Sequence, residues 1–216
     1  MYLKSTVVFM ILIFLSALAV GFSGAMMPGS LLTYTIRQSL SSGPRSGFII
    51  TSGHAILELI LIILIFMGFD TVLQSHTAQF SISIIGGALL FYMGIDMIIG
   101  SIRNTVKVST DGDSSNTRGM FLSGIVISAT NPYFLLWWAV IGLGFIMQSY
   151  NTFGLVGVIL YYFGHLSADF IWYGFVSTVV GTTKNFIKEK PYRIIIAVLG
   201  LLLIVFGGGF VYTAVF

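Results

Sequence analysis

The chain has 216 residues, 56% hydrophobic and 8% charged, with a mean hydropathy of +1.00 and a formal net charge of +3. Soluble domains carry about 25% charged residues, so these proportions exclude a water-soluble globule and leave the bilayer as the solvent. The absence of cysteine excludes disulfides, thiol redox chemistry and cysteine metal sites, and the small positive charge speaks to membrane topology, with no nucleic-acid partner implied.

Lys4 followed by an apolar run to Val20 superficially resembles a signal peptide. The run continues to Met27 and further spans follow, so it is read as the first membrane span. Span 1 extends from about Thr6 to Ile36, with interruptions expected at Gly21-Phe22-Ser23-Gly24 and at Met27-Pro28-Gly29-Ser30. Arg37 and Arg45 flank a turn at Gly43-Pro44. Span 2 covers Gly47 to Phe69, and a polar connection runs from Asp70 to Gln79. Span 3 covers Phe80 to Ile102, with Gly86, Gly87 and Gly94 permitting close helix approach. The long hydrophilic loop, 103–118, divides the chain in two.

Span 4 runs from Gly119 to about Met147 with Asn131-Pro132 inside it, and Gln148 to Thr152 is expected to turn. Span 5 covers Phe153 to Val180, and span 6 covers Tyr192 to Phe216 after a basic connection. The expected fold is an all-α membrane protein of six transmembrane helices, with helices 1 and 4 broken at proline. Lys and Arg fall nine to one on the connections after spans 1, 3 and 5, against Lys4 alone on the other side. By the positive-inside rule those loops face the cytoplasm and both termini lie outside.

Two spans carry the same costly pattern. Gly53-His54 with Glu58, and Gly164-His165 with Asp169, each place an imidazole and a carboxylate four residues apart, on one helix face. Ionisable groups inside a membrane span are expensive and rare, so each pair is a candidate functional group. Adding 111 carries Gly53, His54 and Glu58 onto Gly164, His165 and Asp169, and adding 113 carries Gly87 and Gly94 onto Gly200 and Gly207. An odd number of spans per unit turns the second unit upside down. The expected organisation is one transporter domain, 1–216, made of inverted repeats 1–102 and 119–216, with the site near the midplane where they meet. Pro28, Gly29, Ser30, Asn131 and Pro132 are the candidate substrate-binding and gating residues, because a break frees backbone groups that only a covered cavity tolerates. His54, Glu58, His165 and Asp169 are the candidate polar core or proton-coupling groups.

The segments Pro28-Gly29, Arg37-Gln38-Ser39-Leu40-Ser41-Ser42-Gly43 with Arg45-Ser46-Gly47, Gly86 to Gly94, and Asn131-Pro132 occur in an order that resembles the lysine exporter (LysE/RhtB) family. The resemblance covers nearly the whole chain. It implies export of amino acids or similar small metabolites across the cytoplasmic membrane, driven by the proton gradient, with no cofactor. The chain departs from the family pattern in two places: Ser30 stands where a second proline is usual, and Tyr133 where a basic residue often follows Asn-Pro.

Other readings weigh less. Two histidines and two carboxylates suit a divalent cation, which makes a metal-cation transporter the alternative, although no resident metal is assigned. An intramembrane metal-dependent enzyme lacks a His-Glu-x-x-His run, a Gly-x-Ser-x-Gly elbow or any nucleophile-base pairing. A passive scaffold leaves the doubled ionisable pairs unexplained. Tyr133, Trp137, Trp138, Trp172 and Tyr173 read first as ordinary span aromatics. Small-residue faces are compatible with a homodimer without demanding one.

Overall fold

The computed structural model describes residues 2–27, 29–69, 72, 75–103, 116–183 and 189–215. Among them the regular structure is entirely helical: α1 (Tyr2–Ala25), α2 (Ser30–Ser42), α3 (Ser46–Leu64), α4 (His76–Ile102), α5 (Thr117–Ala129), α6 (Pro132–Trp137), α7 (Leu143–Thr183) and α8 (Glu189–Val215). Short π-helical turns, Ile65–Phe69 and Trp138–Gly142, extend α3 and join α6 to α7. Five helical stretches are long and apolar enough to cross a membrane: Thr6–Ala25, Ser46–Gly68, His76–Ile102, Leu143–Thr183 and Arg193–Tyr212. Phe9, Ile85, Leu155 and Val205 face outward, whereas Ser30, Thr35, Thr51, Glu58 and Ser177 are fully buried. Apolar outside and polar inside is the arrangement lipid favours.

Several expected boundaries move, each for a local reason. Helix α1 runs unbroken through Gly21 to Gly24 and stops only at Ala25. Those glycines are packing positions: a Cβ on Gly21 would sit 2.9 Å from that of Ala168, and one on Gly24 would sit 3.5 Å from the Trp137 ring. The first break therefore lies between Ala25 and Ser30, and Pro28 itself falls outside the described residues. Helix α4 starts at His76, four residues earlier than expected, because Ser75 caps it by accepting a hydrogen bond from the Ala78 N–H at 3.2 Å. The turn expected at Gln148 to Thr152 is helical. The backbone leaves helical values just beyond it, at Phe153 and at Gly154 with φ of 58°.

That kink reverses the chain. Phe145 and Tyr161 stack with ring centroids 6.3 Å apart, although 16 residues of straight helix span roughly 24 Å. The part of α7 before Gly154 thus pairs with the part after it. A left-handed φ is open to glycine at little cost, which is why the reversal waits for Gly154. The stretch expected as the fourth span is a composite of α5, α6 and the start of α7.

Three helix pairs build the interior. Helices α1 and α7 run side by side in the same direction, with Phe14 and Ala17 against Gly164 and Gly21 against His165 and Ala168. Helices α3 and α5 do likewise: Ile49 and Ser52 lie beside Thr117 and Phe121, His54 reaches Ser128 further along, and at the crossing Gly53 meets the Phe121 carbonyl and Gly124 that of Ile50. Helix α2 continues α1 along α7: Pro44 lies at Gly181, and its carbonyl accepts a hydrogen bond from the Ser177 hydroxyl at 2.8 Å.

Helices α4 and α8 are antiparallel and form the third pair. A Cβ on Gly87 would sit 2.8 Å from the Gly207 carbonyl oxygen, and one on Gly94 would sit 2.5 Å from that of Gly200. Further along the same register, Ser101 Oγ donates to the Arg193 carbonyl and Arg193 Nε donates to the Ser101 carbonyl, both at 2.7 Å. Replacing Gly94 with Leu forces these backbones apart. The expected cost is about 1–3 kcal/mol, as for other overpacked interfaces, read as a lower thermal midpoint in detergent. Gly208→Leu, with open space beside it, should leave the midpoint near the wild-type value.

Candidate functional site

The two Gly-His patterns meet. His54 and Glu58 project from α3, His165 and Asp169 from α7, and all four are buried, at 6%, 0%, 3% and 2% exposure. His165 Nε2 lies 2.9 Å from Glu58 Oε1, and His54 Nε2 reaches the same oxygen at 3.3 Å. His165 Nε2 is 3.7 Å from Asp169 Oδ2, beyond hydrogen-bond range. His54 Nδ1 lies 2.7 Å from Ser128 Oγ on α5. One proton arrangement satisfies these contacts: each Nε2–H donates to Glu58, and the Ser128 hydroxyl donates to His54 Nδ1.

The glycines of the patterns explain why the charged pairs can converge. Gly53 lies on the Phe121 carbonyl, and a Cβ on Gly164 would sit 2.5 Å from the Phe14 carbonyl oxygen. Each lets its helix touch a neighbouring backbone one residue before the histidine. Gly21 does the same from α1, since its Cβ would fall 3.0 Å from His165 Nδ1. Tyr162 ties the two helices together by donating from its hydroxyl to the Ala55 carbonyl at 2.9 Å.

An aromatic wall surrounds His165: Trp137, Trp138 and Tyr161 have ring centroids 4.9, 5.4 and 6.1 Å away. Phe134 packs edge-on against His54 at 5.1 Å. Beside the cluster lies a cavity of which about 40 Å³ is open to the centres of water molecules, room for a few waters. Glu58, Asp169, His54 and His165 line it, and so do Gly29, Asn131 and Tyr133 from the two helix breaks. The breaks face each other there, since a Cβ on Gly29 would sit 3.7 Å from Asn131 Nδ2.

The break residues divide by role. Asn131 caps α6, its Oδ1 accepting from the Tyr133 N–H at 3.1 Å, and Pro132 is the buried first residue of that helix. Gly29 precedes α2 with no side chain to cap it. Ser30 is fully buried, with an unpartnered hydroxyl, and does not line the cavity. The sequence missed Ser128, which carries no pattern of its own, and Gly21, read as an interruption. It also underweighted Tyr133, Trp137 and Trp138, which form part of the wall. Ser23 was a further omission: its carbonyl accepts from the Tyr133 hydroxyl and its own hydroxyl accepts from Trp137 Nε1, both at 3.3 Å.

The LysE type translocator family model matches residues 22–214. The chain belongs to that family. Over 203 residues it is 24% identical to the Bacillus subtilis protein named "Putative amino acid efflux protein YcgF", covering 94% of this chain and 97% of the relative. It is 22% identical over 199 residues to the chemotactic transduction protein ChpE of Pseudomonas aeruginosa, covering 92% and 97%. No solved structure matches. Family membership and the helices together make this translocator a multi-pass membrane protein.

Removing the Ser128 hydroxyl leaves His54 Nδ1 buried without its partner. Ser128→Ala should therefore lower unfolding stability by about 1–2 kcal/mol. Ser167→Ala, whose hydroxyl donates to the Phe163 carbonyl of its own helix, serves as the comparison in the same thermal-unfolding assay.

Proposed function

We propose that this translocator exports amino acids or related small metabolites across the cytoplasmic membrane, coupled to protons, by alternating access of two inverted three-helix halves. One observation carries the reading. Two ionisable pairs from separate spans share a single buried cluster, with His165 on Glu58 at 2.9 Å, beside a cavity lined from both helix breaks. A cluster kept away from lipid and next to a polar cavity is how membrane proteins place ion and proton pathways.

Helix pairing supports the inverted halves. If 1–102 and 119–216 are equivalent, α1 against α7 has its counterpart in the composite fourth pass against α3. The pair α4 and α8 is then its own counterpart, with Gly87 on Gly207 matched by Gly200 on Gly94. Such halves can rock about the shared cluster, exposing it to each side in turn. The relative named for amino acid efflux supports the substrate class, and nothing in this arrangement calls for catalysis.

Each carboxyl group can give up its proton only while its neighbours compensate the buried charge that remains. In liposomes with an imposed pH gradient, labelled amino-acid transport should fall at least tenfold in Glu58→Gln and in Asp169→Asn. Full gradient-driven transport by both variants would remove the proton role. His54, Glu58 and Asp169 also offer three ligand atoms within 4.8 Å of one another, which supports divalent-cation transport as a second reading. Amino-acid counterflow that survives chelator treatment favours the first.

The proposed orientation is testable because the chain contains no cysteine. An impermeant maleimide added to intact cells should label Thr152→Cys, at the turn between the fourth and fifth passes, and spare Thr183→Cys. The opposite pattern would reverse the topology.

A further inference from the structure

We infer that Asp169 is the substrate-binding carboxylate, taking the α-ammonium of an amino acid with a neutral, apolar side chain, while Glu58 remains its fixed neighbour. This rests on the amino-acid export reading and narrows it. The two carboxylates differ sharply in their partners. Glu58 Oε1 is held by both imidazoles, at 2.9 and 3.3 Å. Asp169 has only the 3.7 Å approach of an imidazole nitrogen already engaged by Glu58, and its Oδ2 makes no hydrogen bond. A carboxylate that is 2% exposed, faces a cavity and lacks a hydrogen bond there is a vacancy for a donor.

The rest of the cavity sets the shape of that donor. Its described lining contains no Lys or Arg, and the Nε2 atoms of both imidazoles are already turned to Glu58, so an acidic side chain would find no free cation. Glu58 Oε2 is unpartnered as well, but two imidazole nitrogens already face Oε1 of that carboxylate, so a basic side chain meets a weaker acceptor there than the ammonium meets at Asp169. Leu31, Leu32, Phe134, Trp137 and Tyr173 supply most of the remaining wall, which suits an apolar side chain. The substrate carboxylate has a place as well. Gly29 leaves the first N–H groups of α2 without a side-chain cap, and Asn131 Nδ2 faces that glycine.

A coupling mechanism follows from the shared group. Asp169 can hold either the substrate ammonium or a proton, and the arrival of one displaces the other. The exchanged proton sits on Asp169, and Glu58 supports transport by positioning His165, so neutralising Glu58 still lowers transport. Glu58 keeps its two imidazole partners throughout and holds His165 at its post.

The test uses the purified full-length protein in liposomes and in detergent. Counterflow of labelled leucine should be inhibited at least tenfold more strongly by unlabelled leucine than by lysine or glutamate. The 2-hydroxy acid corresponding to leucine, which lacks the ammonium, should not compete. Leucine binding, followed by tryptophan fluorescence, should weaken at least tenfold in Asp169→Asn and stay near the wild-type value in Ser167→Ala, a residue whose hydroxyl donates to its own helix and which does not line the cavity. Lysine competing as well as leucine, or Asp169→Asn binding leucine as wild type does, overturns the inference and leaves amino-acid export standing. Binding lost in Glu58→Gln but kept in Asp169→Asn overturns it likewise. Failure of the wild type to move any amino acid removes the export reading and this inference together. Gel filtration reports whether Asp169→Asn is folded; if it is not, the wild-type competition series decides.

Discussion

Burying two imidazoles and two carboxylates within an apolar helical assembly is the constraint on which the rest depends. One such group alone inside the assembly would be strongly unfavourable, and two isolated pairs would each leave polar atoms unmet. The structure answers by bringing α3 and α7 together so that Glu58 is shared by His54 and His165. The 2.9 Å contact spans 107 residues of sequence. Ser128 from a third helix completes the His54 side at 2.7 Å. Within the cluster Glu58 Oε2, His165 Nδ1 and Asp169 Oδ2 remain unmet, and Glu58 and Asp169 line the cavity.

Such convergence requires close backbones, and glycine supplies them. Inside a membrane the hydrophobic effect does not drive helices together, so association relies on packing and on polar contacts across small residues. Gly53 and Gly164 each precede a site histidine and each rest on a neighbouring carbonyl. Gly21 gives α1 its approach to His165. The outer pair, α4 and α8, uses Gly87, Gly94, Gly200 and Gly207 in the same manner and adds the reciprocal Ser101–Arg193 bonds. Packing and chemistry are thus written in adjacent residues.

The helix breaks do a different job. Asn131 and Pro132 start α6 in the interior, and Gly29 starts α2 opposite them. Backbone that leaves the helix inside a membrane protein must be covered by protein or water. Here it is covered by the cavity that Glu58 and Asp169 also line. The aromatic wall of Trp137 and Trp138 is fixed to the second break, and Tyr133 and Trp137 reach Ser23 on α1. Any movement of one break is therefore felt at the other.

By itself the sequence determined the helical membrane character, the approximate spans and the four ionisable residues, because composition, apolar runs and an i, i+4 pattern are local properties. The family resemblance drawn from short ordered motifs agrees with the match over residues 22–214. The sequence also placed Asn131-Pro132 at a break. Only the tertiary structure decided that Glu58 belongs to both histidines, that Asp169 is left without a hydrogen bond, and that Ser128 and Gly21 belong to the site. It also moved the reversal to Phe153 and Gly154 and made Gly21 to Gly24 a packing surface instead of a break. The physical reason is common to all of these: a glycine or a serine has the same local signature whether it turns a helix, admits a neighbouring backbone or meets a histidine. Which of these it does is fixed by what lies across from it, and that is a long-range fact.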